Sequence, residues 1–237
     1  MQILSWSLLL FATAASMLAQ PQSSTRLEFD AASIKPNKSG ARAGSVRATP
    51  GRIVGSNGTA KMLLQEAFNV KSYQVSGGPG WIESDRFDVE AKAGYPATEG
   101  ELRPMLQRLL AERFKLVVHR ETKEMRVLAL MVAKNGFKLH ELKPGDPNPV
   151  APPPKEGWAG MITRTGPISD LADILTEPMG PVVDKTGLQG RYFFNIAWGP
   201  DEDMITAILE QLGLRFESQK APIELLIIDR LEKPDEN

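Results

Sequence analysis

The chain has no cysteine among its 237 residues, which removes disulfides, thiolate metal sites and lipid attachment at a lipobox cysteine. It has only two histidines, His119 and His140, 21 positions apart and without a partner at helical or hairpin spacing. A zinc site would therefore have to recruit carboxylates from elsewhere, and the surface reading of both is the simpler one. No charge of one sign dominates: 28 basic and 29 acidic side chains nearly cancel, so electrostatics nominates neither nucleic acid nor an anionic membrane. Catalytic signatures are missing as well. No Gly-x-Ser-x-Gly elbow occurs, and no Ser is followed three positions later by Lys, so Lys185-Thr186-Gly187 lacks the nucleophile that a penicillin-recognising serine enzyme needs.

What is present begins with an uncharged stretch, MQILSWSLLLFATAASMLA, apolar from Ile3 to Phe11 and then rich in small residues. Residues 1–19 read as a secretory signal peptide cut after Ala19, with Ala14 as an alternative site. An uncleaved anchor is the competing reading, but the run is at or below the roughly 17–20 apolar residues of a spanning helix. No second such run follows, so the expected mature protein is soluble and exported, periplasmic or extracellular, with no transmembrane segment after signal removal.

Between residues 27 and 233 strand and helix periods alternate. Arg26 to Ile34 alternates like a first strand, Asn37 to Ala48 reads as a loop, and Arg52 to Ser56 as a short strand. Thr59 caps a helix from Ala60 to Phe68, Tyr73 to Ser76 is a strand, and Gly77-Gly78-Pro79-Gly80 a turn with Trp81 packed beside it. In Arg86 to Ala93 the residues Phe87, Val89, Ala91 and Ala93 fall on one side of a period-2 ribbon. Thr98 and Glu101 have capping-box spacing and open a second helix, with Pro104 expected in its first turn. Two strands, Lys115–Thr122 and Met125–Ala133, then follow with a tight connection, and Phe137 to Leu142 allows a short third.

The run KPGDPNPVAPPPK lacks amide donors at each Pro and favours a stiff extended form, which marks 143–157 as a linker. Beyond it the order recurs: a strand near Met161–Thr165, helix Ile168–Thr176, strands Val182–Asp184 and Arg191–Trp198, helix Asp203–Leu212, strands Leu214–Gln219 and Ile223–Arg230. Leu116, Met125, Val127 and Leu130 match Leu214, Ile223, Leu225 and Ile228 at a constant offset of 98, and Arg86 matches Arg191 at 105. The expected fold is α+β: two pseudo-repeated β-α-β-β-α-β-β units, 27–142 and 158–233, with helices on one face of mixed or antiparallel sheets. They form either two domains or one continuous sheet.

The phrases FDAASIKPN (29–37), GRIVGSNGTAKMLLQEAFNVKSYQVSGGPGWIESDRFDVEAKA (51–93), ELRPMLQRLLAERFKLVVHRETKEMRVLALMVAKNG (101–136), GPVVDKTGLQGRYFFNIAW (180–198) and the segment 205–237 resemble, in order, a soil-associated acidobacterial family of exported proteins known as a domain of unknown function. The resemblance implies a bacterial exported protein and no assigned activity. Some relatives look like the extracytoplasmic part of membrane metallopeptidase sensors, but this chain lacks the peptidase, so no peptidase residue carries over.

Asp184-Lys185-Thr186-Gly187 is similar to the phosphorylated-aspartate motif of ion pumps, but Leu188 stands where that motif continues with Thr, and a turn accounts for it. Asp85, Asp88 and Glu90, or Glu121 and Glu124, read as solvated strand faces rather than acid–base pairs. No catalytic residue, metal ligand or cofactor is nominated. The expected role is non-catalytic binding of an envelope component, a glycan or a protein partner, with Trp81, Trp158, Arg86 and Arg191 as candidate contacts. One alternative is a hydrolase of envelope polymers with a carboxylate and Arg site between the halves. The other is a periplasmic assembly module acting through a sheet edge, on the faint likeness of Leu212-Gly213-Leu214 to small secretin and TonB-dependent receptor domains.

Overall fold

The computed structural model describes residues 28–147, 149–151, 153 and 156–234. The expected signal peptide and its cut after Ala19 lie outside the described residues. The first part of the chain builds an antiparallel sheet of order β1-β5-β3-β2, from β1 (Ala31–Pro36), β2 (Ser45–Thr49), β3 (Arg52–Thr59) and β5 (Arg86–Lys92). Ser45–Thr49 corrects the loop expected over Asn37–Ala48. Val46 and Ala48 alternate with Ser45, Arg47 and Thr49 and pack against the core, but two small apolar residues amid Gly, Ser, Lys and Arg are too short a stripe to announce a strand.

Helices α1 (Ala60–Phe68) and α3 (Glu99–Arg113) pack on one face of this sheet. The α1 side chains Leu63 and Leu64 and the α3 side chains Leu102, Leu106 and Leu110 are buried with Phe87, Val89 and Ala91 of β5. Each such Leu gains roughly 1.5–3 kcal/mol on leaving water. Thr59 accepts the Met62 amide at 3.2 Å. Thr98 and Glu101 form the capping box, the Thr98 amide donating to Glu101 at 2.8 Å. Since α3 begins at Glu99, Pro104 lies in its second turn, not its first; the amide it lacks would have bonded the exposed Gly100 carbonyl, which water can serve instead.

The later part forms a three-stranded antiparallel sheet of order β7-β10-β8, from β7 (Glu141–Leu142), β8 (Gly160–Gly166) and β10 (Arg191–Trp198). Helices α4 (Ile168–Met179) and α5 (Met204–Leu212) bury Leu171, Leu175, Ile208 and Leu212 against Tyr192, Phe194 and Ile196 of β10. Asp203 caps α5 by accepting the Thr206 amide at 2.8 Å.

Each of the two strand pairs expected around residues 115–133 and 214–230 is instead one unbroken strand, β6 (Val117–Val132) and β11 (Leu214–Arg230). They pair antiparallel over almost their whole length, from Leu214 opposite Val132 to Ile228 opposite Val118. Alternation of side chains is the same in a straight strand as in the arms of a hairpin, so periodicity does not tell them apart. Short parallel strands flank this ribbon at opposite ends: β4 (Val75–Gly77) beside Leu226–Ile228 and β9 (Val182–Asp184) beside Leu128–Leu130. The ribbon makes one mixed sheet, β4-β11-β6-β9, out of both parts of the chain. Leu226, Ile228 and Leu231 join the core of the first part, while Leu130 joins that of the second.

Candidate functional site

A groove to which both parts of the chain contribute has a volume of about 460 Å³ and is lined from β2, α1, α3, α4 and the segment after α1. Helix α1 supplies Met62, Gln65 and Glu66, followed by Asn69, Val70, Lys71 and Ser72; β2 supplies Ser45 and Val46, α3 Arg103, and α4 Glu177. The spacing Met62, Gln65, Glu66 and Asn69 puts these residues on one helical face, opposite to Leu63, Leu64 and Ala67 in the core. Asn69 ends α1 in the left-handed conformation, φ 51°, a role Asn takes when Gly is absent.

Electrostatically the groove is mixed. The Lys71 ammonium donates to Asp173 of α4 at 2.5 Å and so ties the two parts together at its rim. Arg103 reaches Glu99 with one terminal nitrogen at 3.3 Å, while its buried Nε has no hydrogen-bond acceptor. An unsatisfied buried donor costs about 1–3 kcal/mol. Burial raises the pKa of Glu66, Arg103 partly offsets this, and Glu99 adds to it. Burial likewise raises the nearby Tyr73 phenol, with Asp173 reinforcing it.

A second cavity, of about 440 Å³, lies at the start of β5 and is lined by Asn37, Ser84, Asp85, Arg86, Phe87 and Lys233. Beside it a polar clamp holds the loop before β2. Asn37 donates to both Asp88 carboxylate oxygens at 2.9 Å, and Asp88 also accepts the Asn57 amide at 2.9 Å. Asn57 is 4 % exposed and its side chain donates to the Ala41 and Ala43 carbonyls at 2.7 and 2.8 Å. These hydrogen bonds hold the Asp88 carboxyl below its ordinary range. The loop passes so near that a Cβ on Gly44 would lie 1.8 Å from the Asn57 carbonyl oxygen.

Of the four residues nominated from sequence, Trp81 and Arg86 lie near this cavity and Trp158 and Arg191 belong to the other sheet. Trp81 is half-buried in the short helix α2 (Trp81–Ser84), its ring stacked on Phe114 at 6.3 Å and edge-on to Phe87 at 6.4 Å. Lys233 sits over the ring at 5.8 Å and pairs with Asp85 at 2.6 Å. The aromatic cluster is thus continuous with the core, because Phe87 and Phe114 are themselves buried. Arg86 is half-buried and donates to the Asn57 carbonyl at 3.3 Å. Arg191 opens β10 opposite Leu142, whereas Trp158 precedes β8 at the far end of that sheet, where Gly160 pairs with Trp198. A Cβ on Gly160 would lie 2.2 Å from the Trp198 ring, so only Gly admits this close approach.

His119 is exposed and bonds Asp229 at 2.9 Å. Among the described residues no three His, Asp or Glu side chains converge as a metal site would, and no helix is long and apolar enough to cross a membrane. Asp184 accepts the amide and hydroxyl of Thr186 at 2.9 and 2.7 Å, the turn that its motif suggested.

Sequence reasoning missed the groove, because Glu66, Lys71, Arg103 and Glu177 are spread over more than a hundred residues of chain and none belongs to a recognisable motif. The one available signal was the run of polar residues on the outer face of α1.

An α+β protein with helices covering its sheets and a polar groove where its two parts meet is what this geometry defines. Residues 61–231 match the family described as a protein of unknown function (DUF3738), and the chain belongs to that family. No curated protein and no solved structure matches it.

Proposed function

We propose that this chain is an exported, non-catalytic binding module whose groove between α1, α3 and α4 takes a segment of an envelope glycan. The observation that carries the reading is the groove's lining: Gln65, Asn69, Ser45 and Ser72 offer amides and hydroxyls beside the apolar Val46, Met62 and Val70. A sugar chain presents hydroxyl edges and C–H faces together, and such a lining matches both. Arg103 lines the same groove with its side chain 30 % exposed, and its guanidinium offers charged donors to a sugar hydroxyl or carboxylate. The export half of the reading is supported by the character of residues 1–19.

The test is titration of the chain lacking residues 1–19 with soluble fragments of bacterial cell-wall glycan, followed by calorimetry. Binding is expected to weaken about tenfold, roughly 1.4 kcal/mol, in a Gln65→Ala, Asn69→Ala double variant with unchanged melting. Wild-type protein that ignores these fragments would dismiss the glycan reading.

One observation favours the hydrolase alternative. Glu66 keeps its proton to higher pH than an ordinary carboxyl, as a general acid must, and Glu177 lines the same groove. New reducing ends that appear with the wild type and vanish in Glu66→Gln would replace binding by hydrolysis.

A further inference from the structure

The centre of the β6–β11 ribbon is its narrowest part, where Val127, Ile223 and Leu225 pack in a small cluster with Met125 and Ala221. Between Thr122 and Arg126 only two strands pair, since β4 and β9 reach the ribbon only at its ends. Thr122, Lys123, Glu124, Arg126, Lys220 and Pro222 are all exposed there. Arg126 stands opposite Lys220, and directly opposed like charges destabilise a strand pair. Pro222, which has no amide to give the ladder, stands opposite Glu124.

The two ends, by contrast, are interchangeable. Leu128 and Leu130 lie beside Val182 and Asp184 of β9, while Leu226 and Ile228 lie beside Val75 and Gly77 of β4, both in parallel register. Leu128 and Leu226 are 98 residues apart, as are Leu130 and Ile228, and the same spacing carries Glu124 onto Pro222, the pair at the centre. The ribbon therefore maps onto itself when its ends are exchanged. Each end offers a slot, between a short parallel edge strand and an antiparallel neighbour, filled by one of two apolar segments at equivalent positions.

We infer that the ribbon is a reciprocal exchange of strands between two equivalent halves, and that the chain has a second pairing in which each half folds its own strand back. In that pairing β6 turns at Lys123–Met125, bringing Val118 opposite Leu130, Arg120 opposite Leu128 and Thr122 opposite Arg126. β11 turns about Pro222, bringing Phe216 opposite Ile228, Ser218 opposite Leu226 and Lys220 opposite Glu224. The folded-back form replaces the Arg126–Lys220 repulsion with a Lys220–Glu224 attraction and moves Pro222 into a turn, where its fixed φ is favoured. It gives up the Arg120–Glu224 ion pair of the ribbon. In the folded-back form Leu128 and Leu130 take the positions of Leu226 and Ile228, and the reverse, so apolar side chains fill both slots in either form and the residues at the centre tilt the balance. The device is a hinge, and a second copy of the chain can supply the missing strand in the way strand-swapped oligomers do.

Paired cysteines test this cleanly in a chain that has none of its own. Arg126→Cys with Lys220→Cys reports the exchanged form, since these residues are directly opposed. Thr122→Cys with Arg126→Cys reports the folded-back form. In a straight strand those two are about 13 Å apart, beyond the roughly 7 Å that a disulfide spans. Under mild oxidant the first pair is expected to close at once. The second is expected to close at least tenfold faster than global unfolding, which is read from modification of a single buried thiol at Ala67→Cys in α1. Closure of the second pair no faster than that thiol reacts would overturn the hinge. A measurement without these variants stands beside it: a protease site placed in the linker, cleavage of the folded protein, and native mass spectrometry of isotopically light and heavy samples after mixing. Mixed pairs of halves are expected to form faster than the chain unfolds, and light and heavy halves that stay with their original partners would equally overturn it.

Discussion

The two outer sheets each have a central strand that starts at an Arg and buries alternate residues, β5 from Arg86 and β10 from Arg191, yet among the described residues only the first sheet carries a fourth strand. The difference traces to one position. In the first sheet the register of β3 against β5 shifts between Gly55 and Gly58, and Asn57 within that shift adopts φ 51°. A bulge of this kind turns a side chain out of the pleat, and here it sends the Asn57 amide to the Ala41 and Ala43 carbonyls. The loop so anchored brings β2 alongside β3. In the second sheet β8 pairs with β10 residue for residue from Gly160 to Gly166, with no shift and no extra strand. Since β2 supplies Ser45 and Val46 to the groove, the elaborated sheet is also the one that shapes the candidate site.

The most damaging way to probe the two halves is through the strands that cross between them. Leu130, fully buried, belongs to β6 but sits in the second core, and Leu226, 1 % exposed, belongs to β11 but sits in the first. Leu130→Ala and Leu226→Ala should each cost about 2–5 kcal/mol. Denaturant unfolding should remain one transition in both as long as the ribbon persists, because in that form each half's core is completed by the other's strand. Two separated transitions would mean that the halves are energetically independent despite the ribbon.

Next in size is the clamp that separates the two sheets. Asn57→Ala removes two buried side-chain hydrogen bonds and places a Cβ-branched-free but still left-handed-averse residue at positive φ, together about 2–3 kcal/mol. Asn57→Gly keeps the backbone conformation and should lose only the hydrogen-bonded part. Protease cleavage within residues 38–44 should rise in both variants. If Ala and Gly prove equally mild, the clamp does not set the difference between the sheets.

Much of this architecture was legible in the sequence, and the parts that were not have a common cause. Local chemistry marked the helices: Thr59, and Thr98 with Glu101, cap as their positions suggested, while Asp203, expected as the first residue of its helix, is its N-cap. Alternation marked β5 and β10. What stayed hidden depended on contacts distant in sequence. The straight course of β6 and β11 follows from their mutual pairing, and β2 exists because Asn57 reaches across to residues 41 and 43. The groove is assembled from four elements whose charged residues look, one at a time, like any solvated surface. Trp81, a natural anchor when read as an exposed aromatic, is drawn into the core by Phe87 and Phe114, which lie 27 residues apart in the chain.

A smaller effect should come from the groove itself, on the side of the first half. The folded pKa of Glu66 is raised, so its contribution to stability is full below the ordinary carboxyl value of 4.5 and is lost as the pH rises through the folded value. Glu66→Gln removes that loss. The variant should melt at about the wild-type temperature near pH 4 and above it at pH 7, in thermal scans at the two values. A variant less stable than wild type at pH 7 would show that the charged form is favoured in the groove, contrary to the burial that pushes its pKa up.

The least costly substitution concerns the ion pair across the groove's rim. Lys71 and Asp173 are each nearly half exposed, and exposed pairs contribute about 0–1 kcal/mol, less in salt. Lys71→Met should therefore lower stability by no more than that, with the difference fading between 50 mM and 500 mM salt. Its effect on the groove is a separate quantity, because Lys71 and Asp173 join α1's end to α4 where the two parts of the chain meet. If the glycan reading holds, ligand affinity should fall more than stability does, since loosening that rim costs preorganisation that only the bound state feels. Equal, small losses in both would assign the pair to surface electrostatics alone and leave the alignment of the two halves to the ribbon.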